Sequence, residues 1–172
     1  MKLNLRVNNY PIFLDQELNE EKFKKHDFKK VGFFDRLLVK PAKDEIVWWS
    51  KNCGLKYLND DFENTIYPIL DSTAGTEIMF GTSAYLWFKE NKLIKLTFQI
   101  IQNKMAAEIS LKKLEEKLIE FIGNPSSSEQ SFIIWEAEDQ KFILEYPQQK
   151  HGYIHLMNKN CNTYRENKYG RR

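Results

Sequence analysis

Along residues 2–8 apolar and polar side chains alternate, with Leu3, Leu5 and Val7 on one side and Lys2, Asn4, Arg6 and Asn8 on the other. A period of two predicts a half-buried strand. Beyond Pro11 the period lengthens: Leu18, Phe23 and Phe28 outline the thin apolar stripe of a short charged helix, capped by Asp15 or Asn19 and stopped by Gly32. Residues 36–39 and 45–49 are strand-like, with Pro41 between them. Asn59, Asp60 and Asp61 fit a helix N-terminus, where carboxylates meet the positive end of the dipole, and Pro68 limits that helix to about two turns.

From residue 76 onward the pattern sharpens. A strand is predicted over Glu77–Phe80, a turn over Gly81, Thr82 and Ser83, a strand over Tyr85–Lys89 and a tight connection at Glu90-Asn91. LIKLTFQIIQ follows, with Ile94, Leu96, Phe98 and Ile100 on one face and Lys95, Thr97 and Gln99 on the other. Leu111, Leu114, Leu118, Phe121 and Ile122 then recur at steps of three and four, the stripe of an amphipathic helix that covers a sheet. Gly123 sits where a left-handed C′ residue belongs, and Pro125 forbids continuation. Ser126, Ser127 and Ser128 read as a loop, Phe132–Trp135 and Phe142–Tyr146 as a hairpin, and Tyr153–Met157 as a last strand. One echo spans the two hairpins: Trp87 and Trp135 are each followed by apolar residues at +7, +9 and +11. A duplicated hairpin predicts this pattern, and so does shared strand physics.

These elements make a single-domain α+β protein over residues 1–158, mainly antiparallel sheet covered by one clear helix, with a second helical region before residue 70. A polar, basic tail occupies 159–172. The chain has 172 residues, 42% of them apolar and 14% aromatic, enough for one packed core. No stretch approaches the ~18 apolar residues of a membrane span, and MKLNLRVNNY lacks the apolar run of a signal peptide, so a cytoplasmic protein is expected. Cys53 and Cys161 have no C-x-x-C partner and read as free thiols, with Cys53 packed inside.

Net charge is only +2, but its placement is uneven. Between Tyr57 and Phe88 there is no Lys or Arg, while Asp60, Asp61, Glu63, Asp71 and Glu77 are all acidic. A second cation-free stretch, Leu118 to Gln140, holds Glu136, Glu138 and Asp139. Such blocks are ordinarily solvated surface; as a functional feature they would meet a basic partner.

Candidate chemistry is sparse. His151 and His155 are four apart, a zinc-sharing spacing on a helix, but Gly152 and Ile154 favour a strand, where that step is roughly 13 Å. DSTAGTE at 71–77 has the residue types of an aspartic-protease turn in the wrong order and without a second copy. No Walker or dinucleotide glycine motif occurs, and no cofactor is expected. Nucleic acid is disfavoured, because the body of the chain is near neutral and only the tail offers cations beside Tyr164 and Tyr169. Trp48 and Trp49 are adjacent, so in a strand they point to opposite faces and one lies outside the main core. With Tyr85, Trp87 and Trp135 they suggest an aromatic patch of the kind that anchors interfaces.

In outline the layout resembles small bacterial immunity-type inhibitors, a likeness of architecture. It implies a non-enzymatic protein-binding domain that masks a basic toxin or nuclease. The contact residues would be Asp60, Asp61, Glu63, Asp71, Glu77, Trp87, Trp135, Glu136, Glu138 and Asp139. The alternatives are a small hydrolase using Asp71 with His151 or His155, and a structural accessory protein.

Overall fold

The computed structural model describes residues 4–32, 41–51, 53, 55–58, 82–100, 104–148 and 151–161. The chain opens with strand β1 (Asn4–Val7), which pairs antiparallel with β2 (Tyr10–Ile12) across a turn where Asn8 and Asn9 take positive φ. On its other side β1 pairs with β5 (Leu55–Leu58), giving a three-stranded sheet. The predicted short helix is present as α1 (Glu20–Lys25), and Asn19 rather than Asp15 caps it, accepting from the Lys22 amide at 3.1 Å. Its thin stripe suffices because Phe23 is a hub, its ring centroid 4.9 to 5.7 Å from those of Tyr10, Phe28, Trp48 and Phe88. His26 closes α1, its Nδ1 lying 3.2 Å from the Asn8 carbonyl.

The remaining strands form one antiparallel sheet of eight. They are β3 (Lys29–Lys30), β4 (Glu45–Lys51), β6 (Thr82–Lys89), β7 (Lys92–Ile100), β8 (Ser127–Glu129), β9 (Phe132–Glu136), β10 (Gln140–Glu145) and β11 (Gly152–Asn158). Their spatial order is β3-β4-β6-β7-β11-β10-β9-β8. Helix α2 (Lys104–Ile122) lies across one face of this sheet. Leu111, Leu114 and Leu118 are buried as the stripe predicts, and Gly123 adopts φ 90° with its amide bonded to the Ile119 carbonyl at 3.0 Å. One apolar core joins α2, the inner face of the large sheet (Leu86, Leu96, Phe98, Phe142, Leu144, Ile154 and Leu156) and the residues of β1, β2 and α1.

Several local details differ from or add to the sequence pattern. Thr82 and Ser83 belong to β6 rather than to a turn. Ser127 and Ser128 form the edge strand β8, because their partners Ile134 and Ile133 on β9 have backbone groups to satisfy on that side. Helix α2 begins at Lys104, about two turns before the leucine stripe, with Ala107 buried ahead of it. Ile94 does not share a face with Leu96. An irregularity in the β6–β7 ladder at Trp87/Phe88 shifts the alternation, so Leu93 joins the main core and Ile94 packs on the far side. The tryptophan echo is not a structural repeat: Trp135 pairs with Phe142 beneath α2, whereas Trp87 pairs with Lys95 on the opposite face. The predicted strand at 36–39, helix after Asn59 and strand at 77–80 lie outside the described residues.

Candidate functional site

The face of the large sheet turned away from α2 carries the unexpected chemistry. Directly paired residues on antiparallel strands place their side chains on the same face. The register therefore runs one row across it, from Lys29 through Trp49, Tyr85, Thr97 and His155 to Ile143 and Ile134. A flanking row runs from Val47 through Trp87, Lys95, Met157 and Lys141 to Glu136, and another from Lys51 through Ser83, Gln99, Tyr153 and Glu145 to Phe132. Two features organise these rows.

The first is a stack near the β3–β4 edge. The Trp49 and Tyr85 rings are nearly parallel, 8° between planes with centroids 6.4 Å apart, and Tyr85 leans on Trp87 at 6.0 Å. Lys51 Nζ lies 4.6 Å from the centre of the Trp49 ring, and Lys95 Nζ lies 4.4 Å from that of Trp87. Trp87 is buried with Val31 and Val47, while Trp49 and Tyr85 stay partly exposed and Lys29 and Lys51 reach solvent. A lysine over an exposed indole contributes only about 0.5–1 kcal/mol. That is close to thermal energy, so Lys51 leaves the Trp49 ring readily when another ring or an anion competes.

The second is a polar chain across three strands. Thr97 Oγ1 lies 2.9 Å from His155 Nδ1, and His155 Nε2 lies 2.9 Å from Glu145 Oε2, all three residues being buried. With its proton on Nε2 the imidazole donates to the carboxylate and accepts from the threonine hydroxyl at Nδ1. Tyr153 stacks on the imidazole at 5.8 Å. Hydroxyl, imidazole and carboxylate in this order are also the parts of a nucleophilic relay. Thr97, however, sits in mid-strand between β6 and β11, whose ladders engage the backbone amides around it. A relay needs N–H donors free to stabilise an oxyanion. The chain of three ties β7, β11 and β10 together.

Of the residues expected to form an acidic, aromatic face, Trp135 is a core residue. It is 2% exposed beneath α2, with its indole N–H donating to the Gly123 carbonyl at 2.9 Å. Trp87 faces the other way, so the two tryptophans share no surface. Glu136, Glu138 and Asp139 are exposed together at the β9–β10 turn. Asp60, Asp61, Glu63, Asp71 and Glu77 lie outside the described residues. Cys53 is buried, and its thiol is pushed up to about 12 by that burial. His155 is inside β11 and His151 precedes it, so the two are not on one helix face. Among the described residues, no cluster of three potential metal ligands is found, and no helix is long and apolar enough to cross a membrane.

The family model of the TP0088 domain matches residues 61–167, well over half of the chain. The chain belongs to the TP0088 domain family. Within the described residues the TP0088 match takes in β6, β7, α2 and β8 to β11, hence Tyr85, Trp87, Lys95 and the whole Thr97–His155–Glu145 chain. Lys29, Trp49 and Lys51 precede it. No curated protein and no solved structure matches the chain.

Neither the tie nor the stack is legible as a unit in the sequence. The adjacency of Trp48 and Trp49 points to an exposed aromatic, but Trp49 meets Tyr85, and Thr97 meets His155 and Glu145, only through the cross-strand register. The period of two in LIKLTFQIIQ does place Lys95, Thr97 and Gln99 on the polar side, which is the available signal.

Proposed function

We propose that this chain is a non-enzymatic binding protein whose contact surface is the second face of the large sheet, around Trp49 and Tyr85. One observation carries the reading: the parallel Trp49–Tyr85 pair remains partly exposed and is held by strand pairing. Aromatic side chains on a rigid sheet offer large contact area with little entropy to lose on binding. The test is retention from a lysate of the native host on immobilised protein, wild type against Trp49→Ala. A species captured by the wild type and lost with Trp49→Ala supports the reading. Equal capture by both, or capture by neither, counts against it.

The acidic-face reading, an immunity-type inhibitor that masks a basic toxin or nuclease, has its own support in the three exposed carboxylates of the β9–β10 turn. It makes a different prediction in the same experiment. Capture of a basic protein would survive Trp49→Ala, disappear with Glu136→Gln/Glu138→Gln/Asp139→Asn, and weaken as salt rises.

A further inference from the structure

Resting on the binding-face reading, we infer that the ligand taken by the Trp49–Tyr85 stack is single-stranded nucleic acid. The rings are the first reason. A partly exposed pair, parallel within 8° and fixed on neighbouring strands β4 and β6, presents a planar surface on which an unpaired base can stack. The cations are the second. Lys29 is paired with Trp49 in the β3–β4 register, Lys51 lies two residues from Trp49 on the same face with its ammonium over the ring, and both are exposed. A neutral sugar ring would also stack on this surface, but it has no use for cations on two sides. A nucleotide strand uses both features, the base on the ring and the phosphates on the lysines.

The lysine–indole contact also suggests the order of events. Lys51 covers Trp49 in the free protein through a weak contact, and an incoming base displaces it toward the adjacent phosphate. On this face of β4 the acid is Glu45, at the opposite end from Lys51 with its carboxylate accepting from the Ala42 amide, and Asp44, just before the strand, is bridged to Lys89 at 3.2 Å. The basic character is local, which is why a net charge of +2 gives no hint of it.

The experiment is a fluorescence-anisotropy titration of a labelled short oligouridylate with the full chain, repeated with a duplex of the same length. Variants are Trp49→Ala, Tyr85→Ala and Lys29→Gln/Lys51→Gln. The expected result is binding of the single strand at or below about 100 µM protein, weaker binding of the duplex, and a loss of about tenfold or more for each ring variant. With two phosphate contacts, affinity should fall about sevenfold between roughly 50 and 200 mM salt, and the lysine double variant should flatten that dependence. Lys29 and Lys51 are surface residues, so this variant keeps the test decisive if a ring variant fails to fold. Absence of binding, equal binding by Trp49→Ala, or a salt dependence unchanged in the double variant overturns the inference. If oligonucleotides are not bound but a protein is still captured in a Trp49-dependent way, this inference falls and the binding-face reading stands.

Discussion

A methyl group built on Gly152 would arrive 2.7 Å from Leu111 Cδ1, where helix α2 crosses the start of β11. Such a contact forces the helix or the side chain to move, so Gly152→Ala is expected to lower stability by about 1–3 kcal/mol in chemical denaturation. Gly123 is a different case. A Cβ there would meet nothing within 4 Å, but its φ of 90° belongs to the left-handed region, so Gly123→Ala should cost about 1 kcal/mol through backbone strain alone. Gly123 can be read from the chain because Pro125 and the end of a stripe mark it. The need for Gly152 depends on Leu111, far from it along the chain, and has no local signature. Cys53 supplies a pH prediction. Its folded-state value of about 12 stands above the ordinary 9.0, so its contribution to stability is complete below pH 9 and is lost as pH rises toward 12. Equilibrium unfolding measured across that pH range should show the loss, and Cys53→Ala should reduce it.

At the scale of elements, α2 and the large sheet are legible because each has a strong single period. Leu114→Ala, at the centre of the buried stripe, should cost about 2–5 kcal/mol, while replacement of Glu108 in its exposed pair with Lys104 should change little. Face assignment in β7 is only partly legible. Alternation predicts one side for Ile94 and Leu96, but β7 takes two steps, from Lys95 to Leu93, against one step of β6, and this extra residue sends Ile94 to the other side without any mark in the apolar pattern. The Thr97–His155–Glu145 tie has the same origin, being three residues from three strands that meet only when register is set. Thr97→Val removes the hydroxyl partner of a buried imidazole and should destabilise by about 1–3 kcal/mol. Thr97→Ser should restore most of it. A loss confined to serine, with valine neutral, would show that the methyl group and not the hydroxyl matters there.

The molecule as a whole has one large sheet with two unlike faces, and its four tryptophans report on both. Trp48 and Trp135 belong to the main core and Trp87 is buried on the far side, whereas Trp49 is partly exposed. Acrylamide quenching should accordingly lose most of its accessible fraction in Trp49→Phe and little in Trp135→Phe. The adjacency of Trp48 and Trp49 predicts that they part company. Which one faces the core is not written in the chain, since both have apolar neighbours at two-residue spacing and the choice rests on the partner strand.

The two rims of the large sheet have a further consequence. On one side it ends in β3, two residues long and made of Lys29 and Lys30; on the other it ends in β8, three exposed residues closed by Glu129. Among the described residues the rim strands offer few backbone groups for a strand from another molecule, which would meet lysines on one side or a glutamate on the other. The same Lys29 that stands beside the aromatic stack thus also guards against self-association. Neutralising it for the sake of a binding experiment would be expected to make the protein stickier at high concentration, and light scattering would register that change.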